Sequence, residues 1–227
     1  MAPNIQIKRA TELPENHLDR LDHILDQSWL ILKSRFVHGR HPILLEAPFQ
    51  HYFAQILSNY GELCCTGRDD LFLVDLEAKQ ASVAGKTKYL DITCSFPGKN
   101  VSCALELKFK TKRQAAVDFG RIDAYVDLAA LESACAGPHG FGRFYMITDS
   151  TGYVRASKVG VGTVFALHHG HRYVANTPLQ AACVGREHVN VTLSNSYEFR
   201  WEQIGTWYFL EVRVPPMRGQ LQPTPTS

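Results

Sequence analysis

Three charged side chains near the middle of the chain have the types needed for metal-assisted chemistry on a phosphate. They are Asp91, Glu106 and Lys108. Two carboxylates held close together repel each other unless a cation lies between them, and oxygen ligands of this kind suit Mg²⁺ or Mn²⁺. A neighbouring lysine can orient or help to deprotonate a metal-bound water and can offset negative charge on a phosphoryl group. These residue types predict a magnesium site, provided that the fold brings them together.

A β-hairpin over residues 88–110 is the element expected to bring them together. It consists of two runs with strand-like alternation, separated by a turn signal at residues 97–100. Gly98 suits the first central position of a two-residue type II′ loop. Gly98 and Lys99 are therefore predicted to form the tip.

The register of this hairpin decides which side chains share a face. With that tip, Asp91 lies directly opposite Glu106, and Lys108 projects to the same face because side chains alternate along a strand. The opposite face is apolar and is expected to face the core. It carries Leu90, Ile92, Cys94, Cys103, Leu105, Leu107 and Phe109. A slip of one residue would bury the charges, so this register is favoured.

The triplet Glu-x-Lys has little specificity on its own, because it is also common on solvated strand faces. The chain contains a second one, Glu77-Ala78-Lys79, in the strand-like run 71–79. That triplet lacks a hairpin partner bearing an acid. The first triplet is distinguished by Asp91 and by the longer pattern around it.

That longer pattern resembles the PD-(D/E)XK nuclease family. Leu90-Asp91 matches the first half of the family motif, with leucine where the name has proline, and Glu106-Leu107-Lys108 matches the second half. The resemblance continues through a predicted helix, residues 118–132, and a predicted strand, residues 143–149. The helix also carries residues similar to those of many bacterial members: Arg121, Asp127 and Leu131-Glu132.

The resemblance implies both a fold and an activity. The fold would be a restriction-endonuclease-like mixed β-sheet flanked by helices, and the activity a Mg²⁺-dependent endonuclease that hydrolyses DNA and leaves 5′-phosphates. Asp91, Glu106 and the backbone carbonyl of Leu107 would hold Mg²⁺, for which Mn²⁺ could substitute, and Lys108 would position the attacking water. Cutting both strands of a duplex is done most simply by a twofold pair of sites, so a homodimer is expected.

Members of this family usually place a helix glutamate near the metal, and Glu46 is the candidate here. Pro48 is tolerated only in the first turn of a helix, so Glu46 lies at or just before the helix start. It could help to bind a second ion, or it could simply be a favourable charge at a helix N-terminus. Glu62, after the same helix, is a weaker candidate.

Several cations are expected beside the site. Lys110, Lys112 and Arg113 follow the triplet, and Lys99 stands at the hairpin tip. They could neutralise phosphates that flank the scissile bond, although such a run also fits a solvated strand end. Arg121 on the following helix could hold a phosphate bidentately or lie on a solvated helix face.

The elements that must position these residues follow from hydrophobic periodicity and turn signals. Helices are expected over about 14–38, 44–59 (ended by Gly61) and 112–135. Strands are expected over 71–79, 86–96, 101–110, 143–148, 163–168, 172–175, 189–193, 197–203 and 206–214, the last two forming a hairpin. This order predicts a mixed α/β fold with an N-terminal helix and β-rich C-terminal additions.

Composition agrees with such an enzyme without requiring it. With 227 residues, 45% of them hydrophobic, the chain can form one domain over 1–214, with a nuclease-like core at 44–149 and a flexible tail at 215–227. A net charge of +2 is too small for a nonspecific nucleic-acid coat, so any such surface is local. Six cysteines without paired spacing, and no membrane-spanning apolar run, favour a soluble cytoplasmic protein.

Other functions stay open at this point. A nuclease-like module could bind nucleic acid or a protein without cutting, since a fold does not fix a function. The substrate could also be RNA, with bases stacked on the aromatic residues Trp201, Trp207 and Tyr208, although core packing explains these too. The histidine-rich segment 168–172 is expected in a turn between strands and favours a basic loop over a metal site.

Overall fold

The computed structural model describes residues 13–83 and 86–216. Its helices are α1 (His17–Val37), α2 (Glu46–Leu63), α3 (Val117–Cys135), α4 (Thr151–Val154) and α5 (Val161–Val164). Its strands are β1 (Leu73–Val83), β2 (Lys86–Phe96), β3 (Val101–Lys110), β4 (Phe141–Thr148), β5 (Arg172–Tyr173), β6 (Leu179–Gln180), β7 (Asn190–Val191), β8 (Tyr197–Glu198), β9 (Trp201–Ile204) and β10 (Trp207–Val214).

The main sheet has six strands in the order β1-β2-β3-β4-β10-β9. Strands β3 and β4 are parallel, and the other neighbours are antiparallel. Helix α3 makes the crossover that a parallel pair requires. The predicted mixed α/β class is confirmed, as is the order helix, three strands, helix, strand from α2 to β4.

The β2–β3 hairpin has the predicted register. Its bridged pairs are Ile92–Leu105, Thr93–Ala104, Cys94–Cys103, Ser95–Ser102 and Phe96–Val101. The predicted turn type is wrong, because four residues form the loop: Pro97–Lys99 is a 3-10 turn and Asn100 is left-handed with φ 53°. Proline favours the start of a helical turn and asparagine tolerates the left-handed region. The predicted two-residue loop and the observed four-residue loop are both centred between Gly98 and Lys99, so the register is the same in both.

The main sheet is covered on both faces. Helices α1 and α2 cover one face, where the β2–β3 residues Ile92 and Leu105 join Trp29 and Phe53 in one buried cluster. The predicted N-terminal helix therefore packs on the core through α1. Helix α3 and the short strands β5 to β8 cover the other face, around Tyr125.

Leu90 departs from the predicted alternation. It was expected beside Ile92, but it belongs to the buried cluster on the α3 face. The neighbouring strand β1 is irregular at this level: Glu77, between the partners of Ile92 and Leu90, has a left-handed φ of 50°. Such a kink breaks the strict period of two that the prediction assumed.

Helix α2 begins at Glu46, as Pro48 predicted, and Leu45 is its N-cap. It continues past Gly61 to Leu63, so the prediction that Gly61 ends the helix is wrong. A Cβ on Gly61 would lie 2.1 Å from a ring carbon of Phe72. The glycine therefore permits a close approach between α2 and the segment before β1.

The helix predicted over 112–135 is divided in two. Residues Lys112–Gln114 form a 3-10 turn, and the left-handed Ala115, with φ 51°, separates it from α3. The loop between β3 and α3 is thereby fixed beside the open end of the hairpin.

The C-terminal part differs most from the sequence prediction. The strand expected over 163–168 is wrong: Val161–Val164 is a short helix, and Phe165, Ala166 and Leu167 are buried without regular structure. A segment without regular structure that is buried on all sides has a continuous run of apolar residues, and a buried strand has the same pattern. The predicted hairpin of β9 and β10 is confirmed, and it extends the sheet beside β4.

Glu132 ties this part to α3. Its carboxylate, on a residue that is 5% exposed, accepts hydrogen bonds from Ser194 N, Asn195 N and the Tyr197 hydroxyl at 2.6–2.8 Å. A buried charge is stabilised when several donors satisfy it. The position of the 194–197 turn over α3 depends on this residue.

Two further expectations concern the whole chain. Within residues 13–83 and 86–216, no helix is both long and apolar enough to cross a bilayer. All six cysteines are free thiols. Most of the predicted tail, 215–227, lies outside the described residues, and only Pro215 and Pro216 belong to the described part.

Candidate active site

Asp91 and Glu106 lie at the open end of the β2–β3 hairpin. They are the positions that follow the bridged pair Ile92–Leu105. Oδ2 of Asp91 accepts a hydrogen bond from the backbone N–H of Leu107 at 2.6 Å. This bond holds the carboxylate against β3 at the place where the bridged pairs end. The two acids that the sequence paired therefore occupy neighbouring positions on adjacent strands.

Lys108 projects from β3 toward α3. Its Nζ lies 2.8 Å from Oδ2 of Asp127 and 4.0 Å from Oε2 of Glu46. Burial alone would lower the pKa of Lys108, but the attraction of Asp127 and Glu46 outweighs it and raises that pKa above its ordinary value. The ammonium group is thus a fixed cation and hydrogen-bond donor, which suits it to orient a water or a phosphate oxygen.

Asp127 is a site residue to which sequence reasoning gave no role beyond the family pattern. It is 8% exposed and lies on α3 between the buried residues Ala124, Tyr125, Leu128 and Leu131. An acid within an apolar helix face needs a cationic partner, because a buried charge is otherwise unfavourable. That signal is visible in the sequence, but the identity of the partner depends on how α3 packs against β3.

Glu46, the first residue of α2, reaches the same end of β3. Its Oε1 accepts the Phe109 N–H at 3.4 Å and lies 3.2 Å from the Nζ of Lys110. Its side chain is 42% exposed. Glu62 lies sixteen residues along α2, roughly 24 Å away at the helical rise. The structure therefore brings Glu46, and not Glu62, to the predicted site.

Burial raises the pKa of Asp91 to about 6. The Leu107 N–H and Lys108 act against this rise, whereas repulsion by Asp127 and Glu46 adds to it. An acid that is difficult to ionise among other acids is a frequent feature of functional sites, and a bound cation would reverse the effect.

The donor set can be tested for its fit to Mg²⁺. The described residues contain no group of three or more His, Cys, Asp or Glu side chains that could hold a metal ion. Mg²⁺, however, usually keeps several waters and binds through one or two carboxylates. Asp91 and Glu106 offer two carboxylates and Leu107 a backbone carbonyl, which are the donor types that Mg²⁺ takes, although Glu106 is only 3% exposed.

Gln50 connects α2 to the backbone of Asp91. Its Nε2 donates to the Asp91 carbonyl at 2.6 Å and to Oε1 of Glu77 at 3.1 Å. The second Glu-x-Lys triplet therefore has its glutamate next to the site, which the sequence did not predict. The expectation that this triplet lacks a partner strand bearing an acid is wrong: β1 pairs with β2, and Glu77 lies across from Asp91, between the bridged pairs Leu76–Ile92 and Ala78–Leu90.

The predicted cations are distributed between the two ends of the hairpin. Lys110 contacts Glu46, and Lys112 and Arg113 are exposed on the loop that follows β3. Lys99 is exposed in the turn at the tip, beyond Phe96, and the five residues of extended strand from Asp91 to Phe96 alone span roughly 17 Å. Lys99 is therefore not beside the site, because the tip and the open end of a hairpin are opposite ends.

Arg121 does not line the groove. It is 1% exposed, and its guanidinium donates to the carbonyl oxygens of Gly162 at 3.0 Å and Phe165 at 3.5 Å. It also donates to the Gly152 carbonyl. The interpretation of Arg121 as a phosphate ligand is corrected: it joins α3 to the irregular segments that follow β4.

The aromatic residues considered for RNA contact are largely packed inside. Trp201 is 6% exposed and its Nε1 donates to the Leu167 carbonyl at 2.6 Å. Trp207 packs against Phe36 and Phe109 with ring centroids 4.8 and 5.6 Å away. These positions favour the core role for both tryptophans.

In comparisons with protein-family models, with curated proteins and with solved structures, the chain matched none. A functional conclusion must therefore be argued from the geometry of the site and from the residues that resemble the nuclease motif.

Proposed function

We propose that this protein is a metal-dependent endonuclease of the PD-(D/E)XK type that hydrolyses phosphodiester bonds of DNA, and that its fold is restriction-endonuclease-like. The observation that carries the proposal is the placement of Asp91 and Glu106 at neighbouring positions at the open end of one hairpin, with Lys108 two residues beyond Glu106. The frame of helix, three strands, helix and strand supports it.

Each residue has a distinct task in this proposal. Asp91, Glu106 and the Leu107 carbonyl would hold Mg²⁺, and Mn²⁺ would replace it. When bound, the metal supplies a lowered pKa for an attacking water and compensation of charge on the phosphate. Lys108, kept cationic by Asp127, orients that water or a phosphate oxygen.

The surroundings of the site fit an anionic polymer. Lys110, Lys112 and Arg113 follow the triplet and lie at the same end of β3. Cations near a scissile bond hold the flanking phosphates and set the position of the strand without reading its sequence. A homodimer with two such sites would cut both strands of a duplex.

The alternative is a module that binds and does not cut. The burial of the charged residues argues against it. Glu106 is 3% exposed and Asp127 is 8% exposed. Burying ionised groups is unfavourable and a hydrophobic substitute is often as stable, so a purely structural role gives no reason to keep this cluster. A role in chemistry does give one.

The proposal is tested by incubating the purified protein with supercoiled plasmid, linear duplex, single-stranded DNA and RNA. Each substrate is treated with Mg²⁺, with Mn²⁺ and with EDTA. We expect metal-dependent cutting of DNA with products that carry 5′-phosphates. A folded protein that cuts none of these substrates in either metal would contradict the proposal and favour the binding module. Cutting of RNA alone would show that the substrate is RNA instead of DNA, while the proposed metal-dependent hydrolysis of phosphodiester bonds would stand.

A further inference from the structure

A second feature lies beside the candidate active site, on the α3 face. It is a cleft of about 230 Å³ whose lining includes Lys110, Phe119, Asp123, Tyr153 and Arg186. Lys110 is shared with the active site, where its Nζ contacts Glu46 at 3.2 Å. The cleft therefore begins where the proposed catalytic residues end.

The wall of the cleft combines an aromatic ring with a cation. The guanidinium of Arg186 lies 5.3 Å from the ring centroid of Phe119, and Phe119 is 40% exposed. Arg186 belongs to the C-terminal part and lies in the segment between β6 and β7. The β-rich addition thus reaches back over α3 and places a second cation in the cleft that Lys110 lines.

A carboxylate completes the wall. Oδ1 of Asp123 lies 3.0 Å from a guanidinium nitrogen of Arg186. Burial raises the pKa of Asp123, while Arg186 and Lys108 act against that rise. An acid at this position would repel a phosphate. It would accept hydrogen bonds from an amino group.

These three groups match a nucleobase better than a phosphate. Every base has a face that stacks on aromatic rings and on guanidinium planes, and three of the four DNA bases carry an amino group that a carboxylate can accept from. Lys110, at the mouth, can hold the adjoining phosphate. We propose that this cleft binds one unpaired nucleobase next to the scissile phosphate; this inference rests on the proposed nuclease function.

The substrate class follows from the parts of the base that the cleft would contact, which are its face and its amino edge. A base inside a duplex is covered on both faces and its pairing edge is occupied, so it reaches such a cleft only after leaving the stack. Single strands, gaps and mismatches present a base at little energetic cost. We therefore expect a preference for nucleic acid with an unpaired nucleotide at the cut site, whether the sugar is deoxyribose or ribose.

Fluorescence anisotropy of labelled oligonucleotides tests this binding without requiring cleavage. The probes are a blunt DNA duplex, the same duplex with one unpaired nucleotide, single-stranded DNA and single-stranded RNA, all with Ca²⁺ in place of Mg²⁺. Phe119→Ala should weaken binding of the unpaired probes by about 5- to 100-fold, the range for loss of one stacked base, and leave the blunt duplex unchanged. Arg186→Gln should act in the same direction.

Matched variants separate stacking from folding and from charge. Phe119→Tyr keeps the ring and should bind like the parent. Arg172→Gln removes the same charge from a residue that is 75% exposed and pairs with Glu198, and it should not discriminate between the probes. If Phe119→Ala and Arg186→Gln both bind the unpaired probes as the parent does, or weaken all probes equally, the inference is wrong.

These binding measurements, combined with the cutting assay in Mg²⁺ and Mn²⁺, distinguish this inference from the proposed function. A parent that cuts DNA, combined with a neutral Phe119→Ala, would reject the base cleft and keep the nuclease. A parent that binds unpaired probes through Phe119 but cuts nothing would keep the cleft and reject the nuclease. A parent that binds none of the probes would reject the cleft.

Discussion

The Nζ of Lys108 lies 2.8 Å from Oδ2 of Asp127, and this ion pair joins the central strand β3 to the crossover helix α3. Both side chains are largely buried, at 14% and 11% exposed. The attraction fixes the ammonium group in its charged form and in one position. Asp127 is therefore a positioning residue for the lysine of the proposed active site.

Replacement of Asp127 tests that role. Asp127→Ala leaves a buried cation without this partner and should reduce the free energy of unfolding by roughly 3–5 kcal/mol. Asp127→Asn keeps an oxygen acceptor, so the protein should stay folded while the maximal cutting rate falls about 10- to 100-fold, with little change in KM. Denaturant melts give the free energy of unfolding, and cutting rates measured over a range of DNA concentrations give the maximal rate and KM. An Asp127→Asn variant that is destabilised but cuts at the parental rate would show that the pair is only structural.

Asp91→Asn should separate stability from activity. The pKa of Asp91 is raised from 3.8 to about 6, so the native state binds more protons than the unfolded state between these values, and stability falls as the pH rises through them. This ionisation lowers the free energy of unfolding by roughly 3 kcal/mol at most. In metal-free buffer at pH 8 the variant should therefore melt above the parent, since it carries no buried charge.

The same variant should lose cutting and the stabilisation that Mg²⁺ gives to the parent. Thermal melts at pH 5 and pH 8, with Mg²⁺ and with EDTA, provide the comparison, and at pH 5 the advantage of the variant should shrink. If Asp91→Asn melts below the parent at pH 8 without metal, the burial of this charge is not the dominant effect and the account of Asp91 is wrong.

Gln50 should support activity through the backbone of Asp91. Gln50→Leu removes the donor to the Asp91 carbonyl and should reduce stability by about 1 kcal/mol, the usual contribution of one hydrogen bond. It should also reduce cutting about tenfold, because the Asp91 carboxylate loses a support. Gln203→Leu is the control: its amide donates to the Gly205 carbonyl at 3.0 Å on an exposed turn. Equal cutting rates for Gln50→Leu and Gln203→Leu would show that Gln50 does not support activity.

The exposed cations should differ according to the end of the hairpin on which they lie. Lys112→Ala combined with Arg113→Ala should weaken duplex binding and reduce the slope of log K against log salt by about 0.9 for each phosphate that the protein no longer neutralises. Lys99→Ala removes an exposed charge at the distant tip and should leave the slope unchanged. A larger effect at Lys99 would place the bound strand along the tip instead of the open end.

The parts of the site that the sequence predicted are those determined by residues close together along the chain. The register that aligns Asp91 with Glu106 follows from alternation and from a turn centred between Gly98 and Lys99, and it survives a different turn type. The start of α2 at Glu46 follows from the geometry of Pro48. Each of these depends on neighbours along the chain.

Tertiary packing explains what the sequence did not predict. The contacts of Asp127 with Lys108, and of Gln50 with Glu77, depend on how two helices dock on opposite faces of the sheet. Arg121 reads as a surface residue, yet carbonyl groups from segments about forty residues further along the chain enclose it. A period of 3.6 shows that a helix has faces, but it does not say what each face meets.

The most direct test of the central claim compares two lysines in the two Glu-x-Lys triplets. Lys108→Ala and Lys79→Ala remove the same side chain, and Lys79 is exposed on β1. The cutting rate is measured in Mg²⁺ on whichever DNA the parent cuts, after both variants are shown to be folded. Lys108→Ala should cut about 100- to 1,000-fold more slowly, and Lys79→Ala should cut like the parent. Parental cutting by a folded Lys108→Ala would contradict the assignment of the active site.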